Sequence, residues 1–171
     1  MGEPFRPTAR DDDTLADWFR QADRNHDGQL TLDEMQQDAE RFFAVLDANH
    51  DGEIDPDEIS RYEEVIAPEI QIGTRMGMGA TERDDEHLGA ARFGLLDLPE
   101  PVVSADYNFN RGVSLAEFRQ AAAQRFVALD IEHQGRLTLA GLETIRPAPP
   151  ATSQKPSRPR EVDESALPDR N

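Results

Sequence analysis

The 171-residue chain contains no cysteine. Disulfides and thiolate metal centres are therefore excluded, and the redox compartment leaves no mark on the sequence. Only four histidines are present, and they are scattered, so no zinc-type cluster forms from them. Basic residues are in short supply, 18 against 35 acidic ones, for a net charge of −17. A chain this acidic does not bind nucleic acid or anionic lipid through bulk electrostatics. Carboxylate self-repulsion also penalises the compact state, and bound cations would relieve it. Long apolar runs are missing too: none approaches the roughly 20 residues of a membrane span, so no membrane insertion is expected. The start Met1-Gly2-Glu3-Pro4 has neither the basic nor the apolar region of a signal peptide, and Arg6 stands where a myristoylation pattern wants Ser or Thr. No Ser/His/Asp set, phosphate-cradling glycine loop or spaced pair of catalytic carboxylates emerges, and the chain reads as a non-enzyme.

What the chain does have is carboxylate at regular spacing. Two twelve-residue loops, Asp23–Glu34 (DRNHDGQLTLDE) and Asp47–Glu58 (DANHDGEIDPDE), start 24 residues apart. A hard divalent cation of calcium's size takes six to eight oxygens, which a loop supplies only by wrapping around the ion. Asp23, Asn25, Asp27 and Thr31 alternate as inward side chains in the first loop; Asp47, Asn49, Asp51 and Asp55 do so in the second. Gln29 and Glu53 offer backbone carbonyls, and Glu34 and Glu58 close each cage with two carboxylate oxygens. Gly28 and Gly52 supply the left-handed turn after the third ligand. Thr31-x-x-Glu34 reads as a capping box, and Asp55-Pro56 as a cap before a first-turn proline.

The spacing leaves room for one helix between the loops, expected over 32–46, with Met35, Ala39, Phe42, Phe43 and Leu46 on one stripe. It serves as the outgoing helix of loop one and the incoming helix of loop two. A helix over about 13–22 carries Leu15, Trp18 and Phe19 as core, and one over about 57–67 carries Ile59, Tyr62, Val65 and Ile66 before Pro68. Residues 1–12 read as frayed. His26, His50 and His133 fall at the fourth position of their loops, which points outward.

The pattern then recurs at an offset of 83 residues, from Asp23 to Asp106 and from Asp47 to Asp130, as an internal duplication does. The third loop, 106–117, keeps Asp106, Asn108, Asn110, Ser114 and Glu117, with Gly112 at the carbonyl position. Arg111 takes the place of the turn glycine, at a cost on the order of 1 kcal/mol and with an ill-placed positive charge. The fourth loop, 130–141, keeps Asp130, Glu132, Gln134 and Gly135 but has Gly141 where the closing glutamate belongs, and reads as a structural partner. Ligand-position carboxylates number four in loop two (Asp47, Asp51, Asp55, Glu58), three in loop one (Asp23, Asp27, Glu34) and two in loop three (Asp106, Glu117), which ranks affinity in that order. The eighth-position residues are expected on short antiparallel bridges, Leu30 with Ile54 and Val113 with Leu137.

These readings divide the chain into one loop pair over 13–67, a linker over 68–99 with a short helix near Leu88–Leu98, a second pair over 100–145 and a disordered Pro-rich tail over 146–171. The D-x-N-x-D-G motifs at 23–34 and 47–58 resemble those of EF-hand calcium-binding proteins, and the close spacing resembles the bacterial multi-EF-hand type. The spacing is also similar to that of lanmodulin, a periplasmic lanthanide-binding relative; lanmodulin-type loops carry proline at position 2, where this chain has Arg24, Ala48, Tyr107 and Ile131. The resemblance implies an all-α fold of helix–loop–helix repeats in two paired halves joined by loop–loop β bridges. It implies a calcium sensor or buffer, with calcium ions as ligand and a protein target in the calcium-bound state as a further option. A lanthanide metallophore and a metal-independent interaction module stand as alternatives. A periplasmic or secreted location is likewise what the resemblance implies.

Overall fold

The structure, a computed structural model, describes residues 2–5, 13–68, 96 and 100–145. The expected linker helix and tail lie outside these residues, apart from Leu96 in the former.

The described chain is helical, with two very short strands. Helix α1 spans Thr14–Ala22 and starts at Asp13, whose Oδ1 accepts from the Leu15 and Ala16 amides. Helix α2, Leu32–Leu46, has the expected bounds and buries Met35, Ala39, Phe42, Phe43 and Leu46. After strand β1 (Glu53–Ile54) comes α3, Pro56–Arg61, which continues as one wide π turn over Tyr62–Ile66. Strand β2 (Val113–Ser114) leads into α4, Leu115–Leu129, and a last short helix α5 covers Leu139–Ile145.

Start signals are local and strong. Thr31/Glu34, Asp55/Glu58 and Ser114/Glu117 each form a full capping box, and Pro56 sits in the first turn of α3. Each box satisfies two amides that a helix N-terminus otherwise leaves orphaned. The wide turn, closed by the Ala67 amide on the Tyr62 carbonyl, departs from the regular period. One extra residue per turn rotates Val65 outward to 68% exposure, where a continuous helix was expected to bury it.

The loop pairing differs from expectation. Strand β1 pairs antiparallel with β2, Ile54 opposite Val113, while Leu30 bridges Leu137 through two backbone hydrogen bonds of 2.8 and 2.9 Å. Loop two therefore joins loop three and loop one joins loop four, correcting the expected Leu30–Ile54 and Val113–Leu137 bridges. Helix length is the reason. Fifteen residues at 1.5 Å each place the two loops flanking α2 roughly 22 Å apart, whereas paired strands lie roughly 5 Å apart. The same holds for α4. Two loops at opposite ends of one helix cannot meet, but α2 and α4 packed head to tail bring the end of one to the start of the other.

The core follows the pairing. One cluster gathers Phe42, Phe43, Leu46, Ile54, Tyr62, Val113 and Phe118 about the two–three pair, with Phe43 and Phe118 edge to face at 5.7 Å. The other gathers Leu15, Phe19, Leu30, Met35, Phe126, Leu129, Leu137 and Leu142 about the one–four pair. Trp18 packs against it and donates its indole N–H to the buried Asp38 at 3.0 Å. Helices α2 and α4 belong to both clusters, so neither can open without disturbing the other.

Residues 2–5, expected to fray with the rest of 1–12, are docked. The Tyr62 hydroxyl donates to the Gly2 carbonyl at 2.7 Å, and Glu3 pairs with Arg41. A side chain at position 2 would collide with Pro101 and the Tyr62 hydroxyl, so glycine is required there. Buried Arg125 of α4 fastens the segment ahead of loop three by donating to the Pro101 carbonyl and the Ser104 hydroxyl.

Candidate metal-binding loops

Each loop begins at the end of a helix. Asp23, Asp47 and Asp130 close α1, α2 and α4, their amides bonded to the carbonyls of Phe19, Phe43 and Phe126. A carboxylate there faces the negative end of the helix dipole, which a cation would offset. The closing glutamate instead lies at a helix start, where negative charge is favoured.

One hydrogen-bond scheme repeats. In loop one the Asp23 carboxylate accepts the Asp27 and Gly28 amides at 3.2 and 2.9 Å, Asn25 Oδ1 accepts the Asp27 amide at 2.9 Å, and Asp27 Oδ1 accepts the Gln29 amide at 2.8 Å. Loop two repeats it on Asp47, Asn49 and Asp51 at 3.2, 3.1, 2.9 and 3.0 Å. Loop three repeats it on Asp106, Asn108 and Asn110 at 3.3, 3.0, 2.9 and 3.0 Å. These bonds tie the first, third and fifth side chains to backbone amides of their own loop. The residues expected to act together are thus brought together in loops one, two and three.

The glutamates span their loops. Glu34 accepts the Thr31 amide at 3.0 Å on one oxygen and the Asn25 amide at 3.4 Å on the other. Glu58 accepts Asp55 at 3.1 Å on one side, and Ala48 at 2.7 Å and Asn49 at 3.1 Å on the other. Burial alone raises the Glu34 pKa, yet the Thr31 and Asn25 bonds outweigh it and hold the carboxyl below its ordinary 4.5. Burial likewise opposes the Ser114 hydroxyl and amide at Glu117, and the bonds again win.

Glu117 is 9% exposed; Ser114 bonds its Oε2, and the Tyr107 and Asn108 amides favour its charged form from a longer reach, but its Oε1 makes no close hydrogen bond. A desolvated carboxylate oxygen without a close partner is costly. A hard cation in loop three is the kind of group that oxygen fits. Among the described residues, no group of three or more His, Cys, Asp or Glu side chains is placed to hold a metal. The loops offer another donor set: carboxylates interleaved with Asn, hydroxyl and backbone carbonyl oxygens, as suits a hard ion. Asp55 Oδ1 caps α3 through the Asp57 and Glu58 amides at 2.8 and 3.0 Å, and Thr31 and Ser114 do the same for their helices.

Position 4 explains the repeated histidine. His26, His50 and His133 are all exposed and all left-handed, with φ of 57, 61 and 54°. Histidine tolerates that conformation better than most residues. Phe109 holds the same place in loop three at φ 59° and is 87% exposed. Arg111 adopts φ 76° in the place of the turn glycine, as the sequence requires.

Loop four departs from the scheme. Asp130 still accepts the Gln134 and Gly135 amides at 2.9 and 2.7 Å. Gln134, however, donates to Glu132 at 2.6 Å and accepts from Arg136 at 3.3 Å. Thr138 caps the Gly141 amide at 3.1 Å, but no carboxylate returns the bond.

Helix–loop–helix units with carboxylate and amide oxygens at alternating loop positions, bridged in pairs, match the architecture of metal-ion-binding helical proteins. The EF hand family model matches residues 15–37 and 39–61, one hand directly after the other. Residues 15–61 thus carry two adjacent EF hands with closely spaced loops, which indicates a capacity to bind calcium. No curated protein and no solved structure matches it.

Proposed function

We propose that this protein takes up calcium at loops one, two and three and acts as a calcium buffer without catalytic activity. The proposed ligands are Asp23, Asn25, Asp27, Gln29, Thr31 and Glu34; Asp47, Asn49, Asp51, Glu53, Asp55 and Glu58; and Asp106, Asn108, Asn110, Gly112, Ser114 and Glu117, with Gln29, Glu53 and Gly112 acting through their carbonyls. Loop four serves as the backbone partner of loop one. The observation that carries this reading is the single hydrogen-bond scheme repeated over three loops. Glu117 Oε1, buried in loop three without a close partner, adds support to that reading.

Two features favour buffering over a groove-opening sensor. Phe42, Phe43 and Phe118 lie inside one core, and α2 and α4 each serve two hands. Opening a hand requires moving a helix that its neighbour also needs. A hydrophobic dye added during a calcium titration of the full chain tests this. Saturation with no rise in dye fluorescence is expected; a large rise at saturation would make it a sensor. Lanthanide ions suit the same oxygen cages, and competition against calcium measures any preference.

A further inference from the structure

We propose that Glu53 of loop two is a positioning residue for the site in loop three, resting on the reading of these loops as calcium sites. Asn110 is the fifth-position ligand of loop three. Its Oδ1 accepts the Gly112 amide at 3.0 Å, and its Nδ2 donates to Glu53 Oε1 at 3.2 Å across the strand pair. The two contacts together fix which end of the amide faces the loop interior.

In loops one and two the same place is held from within. Asn25 Nδ2 donates to Asp27 Oδ2 at 3.1 Å, and Asn49 Nδ2 to Asp51 Oδ2 at 3.0 Å. Loop three has Asn at both positions, and its fifth-position side chain is held from the neighbouring loop instead. Gly112 makes this possible. A Cβ at 112 would occupy the space of the Glu53 carboxylate. The glycine that stands one place late in the motif is thus explained by clearance for Glu53, and its φ is not left-handed.

Glu53 faces both sites at once. Its carbonyl is a proposed ligand in loop two, and its carboxylate orients a ligand in loop three. Ordering β1 around an ion in loop two therefore presets Asn110, and loop three fills with loop two rather than independently. The one–four pair lacks this link: Gln134, the counterpart of Asn110, bonds to Glu132 and Arg136 of its own loop.

The test uses the amide at position 6 of each loop, which bonds the first aspartate and so reports each site by its NMR shift during calcium titration of the full chain. In Glu53→Ala, the midpoint at Arg111 should rise about ten-fold, as loss of a charge-assisted hydrogen bond predicts, and at least five times more than that at Gly52. Glu53→Gln keeps an acceptor and should restore most of the loss. Gly112→Ala, which displaces the carboxylate, should reproduce it. Equal losses at Gly52 and Arg111, or no change at Arg111, would overturn the proposal. Failure of every position-6 amide to respond in the unaltered chain would instead sink the calcium reading beneath it.

Discussion

The two–three and one–four loop pairs are built alike and equipped differently. Both rest on an antiparallel backbone contact between eighth-position residues, Ile54 with Val113 and Leu30 with Leu137. The two–three pair extends this into strands of two residues, adds a side-chain bond from Asn110 to Glu53, and has a closing glutamate in both members. The one–four pair has a single bridge, and Gly141 leaves its fourth loop open. A loop can thus keep its architectural role without a closing glutamate, because backbone pairing does not depend on that side chain.

The largest effect that would break this comparison is a cavity. Phe118 is fully buried between α2 and α4 at the two–three end. Phe118→Ala should cost about 3–5 kcal/mol in chemical denaturation of the ion-free chain. Because the two clusters share both long helices, the transition should remain single. Two separate transitions would show that the pairs are independent units.

Next in size is Glu58→Gln. It replaces a buried carboxylate that accepts three backbone amides. A loss of about 1.5–3 kcal/mol, or roughly ten- to a hundred-fold, is expected in the calcium midpoint of Gly52. Through Glu53, part of it should appear at Arg111, while Gly28 in the other pair should move least.

Two substitutions sharpen the comparison by repair. Arg111→Gly relieves a left-handed arginine worth about 1 kcal/mol and removes a positive charge, so loop three should bind about five-fold tighter by the same titration. Gly141→Glu restores a capping partner for Thr138. Its Cβ would lie 3.2 Å from Thr138 Oγ1, which asks for a shift of only tenths of an ångström. A calcium response at the Gly135 amide should appear, weaker than the others because Arg136 still occupies Gln134.

The smallest effect concerns pH. Glu34 and Glu117 are held below the ordinary 4.5 in the fold. A depressed carboxyl pKa contributes stability above the unfolded value, which is lost as pH falls through the folded one. Their share of the ion-free chain's stability should persist down to about pH 4.5 and fade below it, while relief of the −17 net charge acts the other way. Glu34→Gln and Glu117→Gln should therefore each lessen the loss of melting temperature in acid relative to the unaltered chain. An identical pH profile in both variants would contradict the assignment.

Much of this was legible because it is local. The bounds of α2, the capping box at Thr31, the cap at Asp55 before Pro56, and the buried stripe from Met35 to Leu46 all follow from local residue patterns. The partners of the bridges were not legible. The sequence shows which residues want a strand, whereas the length of α2 as a rigid spacer decides which strand they reach. Tyr62–Ile66 escaped for a related reason, since a wide turn carries no distinct residue signature and reveals itself only by turning Val65 outward. The histidines at position 4 did carry a signal: three repeats of a residue tolerant of positive φ mark a second left-handed position in each loop.

If loops one, two and three are oxygen cages for calcium, calorimetric titration of the full, chelator-stripped chain should find three ions bound per chain. A stoichiometry below three would overturn that reading.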